Sequence, residues 1–164
     1  MQVGNISASF VRPANVTAYA TGQLVANSVT PASVVPMAFT LDNSFPMGQY
    51  RLTRARLSKS GAVITNATFR LHLYQALPTV QTGSGDGATW LTNGAANWLG
   101  NIDISSMLPF SDGAAGTGSC PAGSEHLIRL GSGIIVYGLL AALGAYTPAS
   151  AEQFTVTLEP LEAY

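Results

Sequence analysis

Regular alternation of apolar and polar side chains is the feature that most constrains the fold of this chain. Two segments show it, residues 67–75 and residues 153–159. Because successive side chains of an extended strand point to opposite faces of a sheet, a period of two predicts half-buried strands. Both segments are also rich in residues that favour strands. We expect their apolar side chains to face one core: Phe69, Leu71, Leu73, Phe154, Val156 and Leu158.

Other segments predict further strands. Residues 35–41 and residues 98–104 are short candidates, and residues 50–61 predict a longer strand that forms a hairpin with residues 62–65. The segment 133–143 is apolar on both faces, which is typical of a strand buried on both sides. A helix over its second half is the alternative, although its glycines disfavour one.

The stretches between these strands predict loops and a single domain. Residues 81–87 and residues 111–119 are Gly-rich and are predicted as loops. Many short strands separated by turns predict an all-β fold, a single-domain β-sandwich that is jelly-roll-like and has long Gly-rich loops. The sandwich takes in residues 14–164. Residues 1–13 are either an arm that adds a strand to a neighbouring molecule or the first strand of the same sandwich.

The composition indicates a surface suited to contact with other proteins. Charged residues make up 9% of the chain, against about 25% in an average soluble domain. Ala, Gly, Ser, Thr and Val stand in their place, and such side chains are weakly hydrated. The net charge is −1 and no basic stripe is visible, so we expect no nucleic-acid partner. The longest apolar run is too short and too rich in glycine to cross a bilayer, so we expect no membrane partner.

Three aspartates and one Gly-rich loop are the candidates for ion binding. Residues 83–87 have the glycines of a phosphate-binding loop but lack the Lys and Ser/Thr that follow them in such loops. Asp86, Asp103 and Asp112 lack the spacing of a calcium loop, and we interpret them as solvated carboxylates in turns. The sequence therefore predicts no metal site.

Two histidines and one cysteine are the candidates for catalysis. Neither His72 nor His126 lies in a nucleophile-elbow pattern, and we interpret His72 as a hydrogen-bonding residue between strands. Cys120 has no neighbouring basic residue to lower the pKa of its thiol, so we interpret it as a small apolar filler. We predict no catalytic residue and no cofactor, and therefore a structural or binding protein rather than an enzyme.

Arginines and tryptophans are the candidate interface residues. Arg54 and Arg56 share a face if their segment is extended, and they either lie on a solvated face or contact the carboxylates of a partner. Trp90 and Trp98 lie in or near loops, where aromatic side chains form interfaces or pack under the loop. The complete candidate set is Arg12, Arg51, Arg54, Arg56, Trp90 and Trp98.

Several segments in order resemble small structural proteins of tailed bacteriophages, in particular the head decoration, or cement, proteins. An opening segment is followed by an Arg-rich strand, an alternating strand that ends in a proline turn, and a final strand after an apolar stretch. These segments are residues 12–28, 51–61, 67–74, 145–150 and 154–158. The resemblance covers nearly the whole chain.

The resemblance implies a function in the virion. Decoration proteins are often homotrimers that sit on the outside of the capsid and clamp adjacent subunits. We therefore expect a homotrimer of this chain that has the major capsid protein as its partner. We expect it to be made in the bacterial host cytoplasm and located on the capsid surface. The alternative is a phage tail or baseplate structural protein, or a host-recognition protein, in which Trp90 and Trp98 would line a binding groove.

Overall fold

The computed structural model describes residues 6–41, 49–80, 83–89, 97–120, 126–129 and 135–162. The chain is nearly all β and forms two antiparallel sheets, so the predicted all-β sandwich is confirmed. Its strands are β1 (Ile6–Val11), β2 (Leu24–Val25), β3 (Met37–Thr40), β4 (Gln49–Lys59), β5 (Phe69–Tyr74), β6 (Trp98–Ile104), β7 (Met107–Phe110), β8 (Gly113–Ser119), β9 (His126–Arg129), β10 (Ile135–Ala142) and β11 (Gln153–Glu162).

The two sheets are built from nested pairs of strands. The first sheet has the order β1-β11-β4-β8-β7, and β9 pairs with the other end of β4. The second sheet has the order β2-β10-β5-β6, and β3 also pairs with β10. The first strand pairs with the last, β3 with β10, β4 with β8 and β5 with β6. This nesting is compatible with the jelly-roll-like architecture that the sequence predicts.

The core lies between the sheets and contains the side chains that alternation predicts. All six predicted residues, from Phe69 to Leu158, are completely buried in one cluster. The ring of Phe154 packs edge-on against Phe69 at 5.6 Å and stacks on Phe10 at 5.5 Å. The prediction of one shared core face for β5 and β11 is therefore confirmed.

Residues 135–142 of the predicted apolar segment form β10, the central strand of the second sheet. β10 pairs with β5 on one side and with β2 and β3 on the other. The predicted strand is confirmed and the helical alternative is wrong. Its outward side chain Leu139 is buried in a second, smaller cluster with Leu24, Ala26, Val34 and Tyr74. The strand is therefore covered on both faces, as its apolar pattern predicts.

The predicted Gly-rich loop at residues 111–119 is wrong, because this stretch forms strand β8. β8 lies between β4 and β7 in the first sheet. A Cβ atom on Gly118 would lie 2.2 Å from the backbone oxygen of Asp103, and one on Gly116 would lie 2.4 Å from that of Ser106. Glycine at these positions lets two backbones approach closely, which is a use of glycine inside strands.

The predicted hairpin of residues 50–61 with residues 62–65 is also wrong. β4 ends at Lys59, and the chain then crosses to β5 in the second sheet. The Lys59 ammonium group donates hydrogen bonds to the carbonyl oxygens of Gly61 and Val63. The loop therefore curls around this buried ammonium group and does not return along β4.

The N-terminal segment is a strand of its own sandwich in the part that the structure describes. β1 pairs with β11 from Ile6 opposite Leu158 to Val11 opposite Gln153. Residues 6–11 therefore form the first strand of the same sandwich. Residues 1–5 lie outside the described part of the chain.

Shortening a core side chain should destabilise the protein strongly. Leu71→Ala removes a completely buried side chain from the centre of the core, and we expect a loss of about 2–5 kcal/mol in the free energy of unfolding. Val63→Ala, at a loop position 57% exposed, is the matched control and should change stability by less than about 0.5 kcal/mol. Urea unfolding measures both, and equal effects would contradict the assignment of Leu71 to the core.

Candidate interface surfaces

The guanidinium group of Arg12 lies inside the protein and not on a surface that a partner could contact. Its side chain is 1% exposed and pairs with Asp86 at 3.1 Å. It also donates hydrogen bonds to the hydroxyl oxygen of Tyr19 and to the backbone and side-chain oxygens of Asn15. The prediction of Arg12 as an interface residue is therefore wrong. The expectation that Asp86 is solvated is wrong too, since its side chain is 3% exposed.

A second buried pair adjoins the first. The Lys59 ammonium group lies 3.0 Å from the Glu152 carboxylate, and both side chains are completely buried. Glu152 also accepts hydrogen bonds from the Gly61 backbone and from the hydroxyl of Tyr146. The rings of Tyr146 and Tyr19 stack in parallel at 6.3 Å, so the two pairs form one continuous set of contacts.

Burial fixes the protonation of the two tyrosines. Burial and the hydrogen bond to Asp86 raise the pKa of Tyr19 above its ordinary value. Burial and the hydrogen bond to Glu152 raise the pKa of Tyr146 in the same way. Both phenols therefore stay protonated and donate to the carboxylates. We call these six side chains the buried polar network: Arg12, Tyr19, Lys59, Asp86, Tyr146 and Glu152.

The arginines of β4 lie on the outer face of the first sheet. Arg54 and Arg56 are both about half exposed, and both approach the carboxylate of Glu159 on β11, at 3.5 Å and 2.8 Å. The prediction that they share a face is confirmed, and the carboxylate that they contact belongs to their own chain. Arg51 is exposed as well. The pairing of β4 with β11 shifts its register between Glu159 and Pro160, which makes Thr53 an extra residue of β4. The outward-facing residues of β4 therefore have odd numbers before Thr53 and even numbers after it.

The rest of this outer face consists of small side chains. A shallow depression of about 510 Å³ runs across β7, β8, β4 and β11, and Ser58, Thr117 and Thr155 are among its lining residues. Leu108 and Phe110 of β7 border it and are 66% and 57% exposed. Sequence reasoning missed both apolar residues, because no alternation marks the four-residue strand β7.

The second sheet presents a polar row beside an exposed tryptophan. Arg70 and Asp103 form a two-pronged ion pair with both distances at 2.7 Å, and Asn101 donates a hydrogen bond to Asp103. Trp98 is 45% exposed, and its ring lies 6.2 Å from that of His72. Trp98 is thus available to a partner. The other predicted tryptophan, Trp90, lies outside the described residues.

The ion pair favours the charged forms of Arg70 and Asp103, whereas burial disfavours the charged form of His72. The hydrogen bonds between Arg70 and Asp103 lower the pKa of the carboxyl group and raise that of the guanidinium group. Burial, with a smaller effect of the Arg70 charge, lowers the pKa of His72 to about 4. His72 is therefore neutral at pH 7.

The three aspartates considered for calcium do not form a metal-binding group in the described part of the chain. The three aspartates considered for calcium have different surroundings: Asp86 contacts Arg12, Asp103 contacts Arg70, and Asp112 lies in the exposed turn between β7 and β8. Among the described residues no group of three potential ligands could hold a metal ion. None of the described helical structure is long and apolar enough to cross a membrane.

Comparison with other proteins adds no family. No protein-family model matches the chain, and a search of curated proteins finds no similar sequence.

Breaking the buried polar network should cost more stability than breaking an exposed ion pair. Glu152→Gln leaves the Lys59 ammonium group buried without its counter-charge, and we expect a loss of about 3–5 kcal/mol. Asp103→Asn removes the exposed partner of Arg70, with its side chain 40% exposed, and should cost about 1 kcal/mol or less. Denaturant unfolding at pH 7 compares them. A double variant with Lys59→Met and Glu152→Met should lose less than Glu152→Gln does, and a larger loss would contradict the charge argument.

Acidification should destabilise the protein through His72. Unfolded histidine takes up a proton below its ordinary pKa of 6.5, whereas folded His72 resists protonation until about pH 4. The contribution of His72 is thus present above pH 6.5 and is lost as the pH falls towards 4, by up to about 2 kcal/mol between pH 7 and pH 5. His72→Gln should flatten the dependence of unfolding free energy on pH. An unchanged pH dependence in His72→Gln would contradict the assignment to His72.

Proposed function

We propose that this protein decorates the outside of a bacteriophage head and stabilises the capsid lattice. The observation that carries the proposal is the outer face of the first sheet. It combines small hydroxyl and methyl side chains with the exposed apolar residues Leu108 and Phe110. Two of its charges, Arg54 and Arg56, share the carboxylate of Glu159 as their partner. A surface of this kind loses little ionic hydration when another protein covers it.

The resemblance to decoration proteins supports the same function. Three of the resembling segments lie in β4, β5 and β11, which build the sandwich. Viral capsid domains are among the proteins built on jelly rolls, which are double-sheet folds. We extend the proposal to a jelly-roll topology, because the nested strand pairs are the ones that such a fold requires.

The proposed assembly is a homotrimer bound to the major capsid protein. A trimer would present three copies of the outer face to the lattice at once. Linked contacts of modest strength combine through effective concentration, so each can be weak while the trimer binds tightly. The protein would be made in the bacterial cytoplasm and located on the capsid surface.

A second candidate function is host recognition or a structural role in the phage tail or baseplate. The observation that favours it is Trp98, which is exposed next to the polar row of Arg70, Asn101 and Asp103. An exposed indole next to planar polar groups suits contact with a polar ligand. This function would use the second sheet, whereas capsid decoration would use the first.

The location of the protein in the virion distinguishes the two functions. We expect a tagged copy, detected by electron microscopy of the phage that encodes it, on the head surface. Detection on the tail would favour the second candidate, and absence from the virion would overturn both. Sedimentation of the purified protein tests the trimer, and a monomer at micromolar concentration would contradict self-association in solution.

Charges placed at the border of the depression should weaken head binding. Phe110→Asp introduces a carboxylate at an exposed apolar position, and we expect at least a tenfold loss of affinity for heads that lack the protein, because the contact would have to desolvate the charge. Val63→Asp, at a loop position with equal exposure, is the matched control and should bind normally. Normal binding of Phe110→Asp would show that the first sheet does not face the capsid.

A further inference from the structure

The free edge of β1 is the one described sheet edge that lacks protection against another strand. β1 is six residues long and contains only Ile, Ser, Ala, Phe and Val. Edge strands normally carry a charge, a proline or a bulge, or are very short, because their unpaired backbone groups invite another strand. The amide and carbonyl groups along β1 are therefore a template for strand addition.

The other edge strands carry these protective features. β7 contains Pro109, and β9 contains Arg129. β6 contains Asp103 and a register shift beside Trp98. β2 and β3 have two and four residues. β1 has none of these features.

The hydrogen-bond pattern identifies the backbone groups that point away from β11. The Arg12 amide donates to the Glu152 carbonyl oxygen at 3.1 Å, which makes Arg12 and Glu152 a hydrogen-bonded pair. Because such pairs alternate along an antiparallel ladder, Ile6, Ala8 and Phe10 also bond to β11. The amide and carbonyl groups of the intervening residues Ser7, Ser9 and Val11 therefore face the free edge.

Side chains along the same edge are incompletely covered. The inward residues Ile6, Ala8 and Phe10 are only partly buried, whereas the inward residues of β11 next to them are completely buried. Val11 is 49% exposed on the outer face. An added strand would cover apolar surface as well as satisfy backbone groups.

We propose that β1 pairs with β1 of a second copy of this chain, antiparallel and about a two-fold axis at Ser9. In this register Ser9 lies opposite Ser9 of the other copy, and Ser7 lies opposite Val11. The backbone groups that face the free edge are then paired in all three residues. On the axis the two-fold contact places identical side chains opposite each other, and this strand has no charge to repel its copy. Two first sheets then join into one continuous sheet.

This contact is separate from the one that would hold a trimer. A two-fold contact cannot build a closed ring of three, so β1 would join copies that belong to different trimers. The inference concerns the purified protein and does not depend on the proposed function. Its failure would leave the location in the virion open to its own test.

Disulfide crosslinking tests the register. In a Cys120→Ser background, Ser9→Cys should form a covalent dimer on mild oxidation, because opposed residues of a hydrogen-bonded pair lie about 5.5 Å apart between Cα atoms, within the range of a disulfide. Ser7→Cys alone should not crosslink, and Ser7→Cys combined with Val11→Cys should. Leu108→Cys, exposed on the opposite edge at β7, is the control for random collision. Crosslinking of Ser9→Cys no faster than Leu108→Cys would overturn the proposal.

A charge at the centre of the edge gives a second test in the chain that keeps its cysteine. Ser9→Lys should lower the mass of the assembly in sedimentation, since two ammonium groups would meet on the two-fold axis, and Ser9→Thr should leave it unchanged. Thermal unfolding checks that both variants fold. An unchanged mass for Ser9→Lys would overturn the proposal. If head binding were lost at the same time, the strand that pairs with β1 would be a capsid segment.

Discussion

Two buried carboxylates, Asp86 and Glu152, hold together the loops at one end of the sandwich. The network around them joins the segment after β1, the end of β4, the loop before β11 and the turn at residues 83–87. Each carboxylate has a cation and a tyrosine as partners, so the cost of burying its charge is offset by several hydrogen bonds. Gly85 allows this packing, because a Cβ atom there would lie 2.0 Å from the carbonyl oxygen of Val29.

Alternation predicted those strands whose two faces have different surroundings. β5 and β11 face the core on one side, so a period of two appears in their sequences. β8 was not predicted because two of its inward residues, Gly116 and Gly118, are glycines that admit a neighbouring backbone, and a glycine-rich sequence is equally typical of a loop. The hairpin after β4 was predicted from local turn residues. The contacts that redirect the chain there come from Glu152, which is distant in sequence.

The candidate surfaces could be predicted only in part, because spacing within a segment does not show which distant residues the fold brings to it. Spacing placed Arg54 and Arg56 on one face, and the structure agrees. Spacing could not show that Arg12 is buried, because its partners Tyr19 and Asp86 are brought to it by the fold. The exposure of Leu108 and Phe110 was equally invisible, since an apolar residue in a short strand is as typical of the core as of an interface.

The distribution of charge links the interior to the outer surfaces. In the described part of the chain, Arg12 and Lys59 are paired in the interior, and Arg54, Arg56 and Arg70 are paired with carboxylates of the same chain. The charges of the network therefore hold the loops in place, and these three arginines on the faces contact carboxylates of the same chain. Since charge complementarity normally steers association and selects partners, the contacts proposed for this protein would gain their specificity from the shape of its sheet faces and from the register of backbone hydrogen bonds at its edges. Both depend on rigid strands, and the buried polar network supplies that rigidity where β1, β4 and β11 meet the loops.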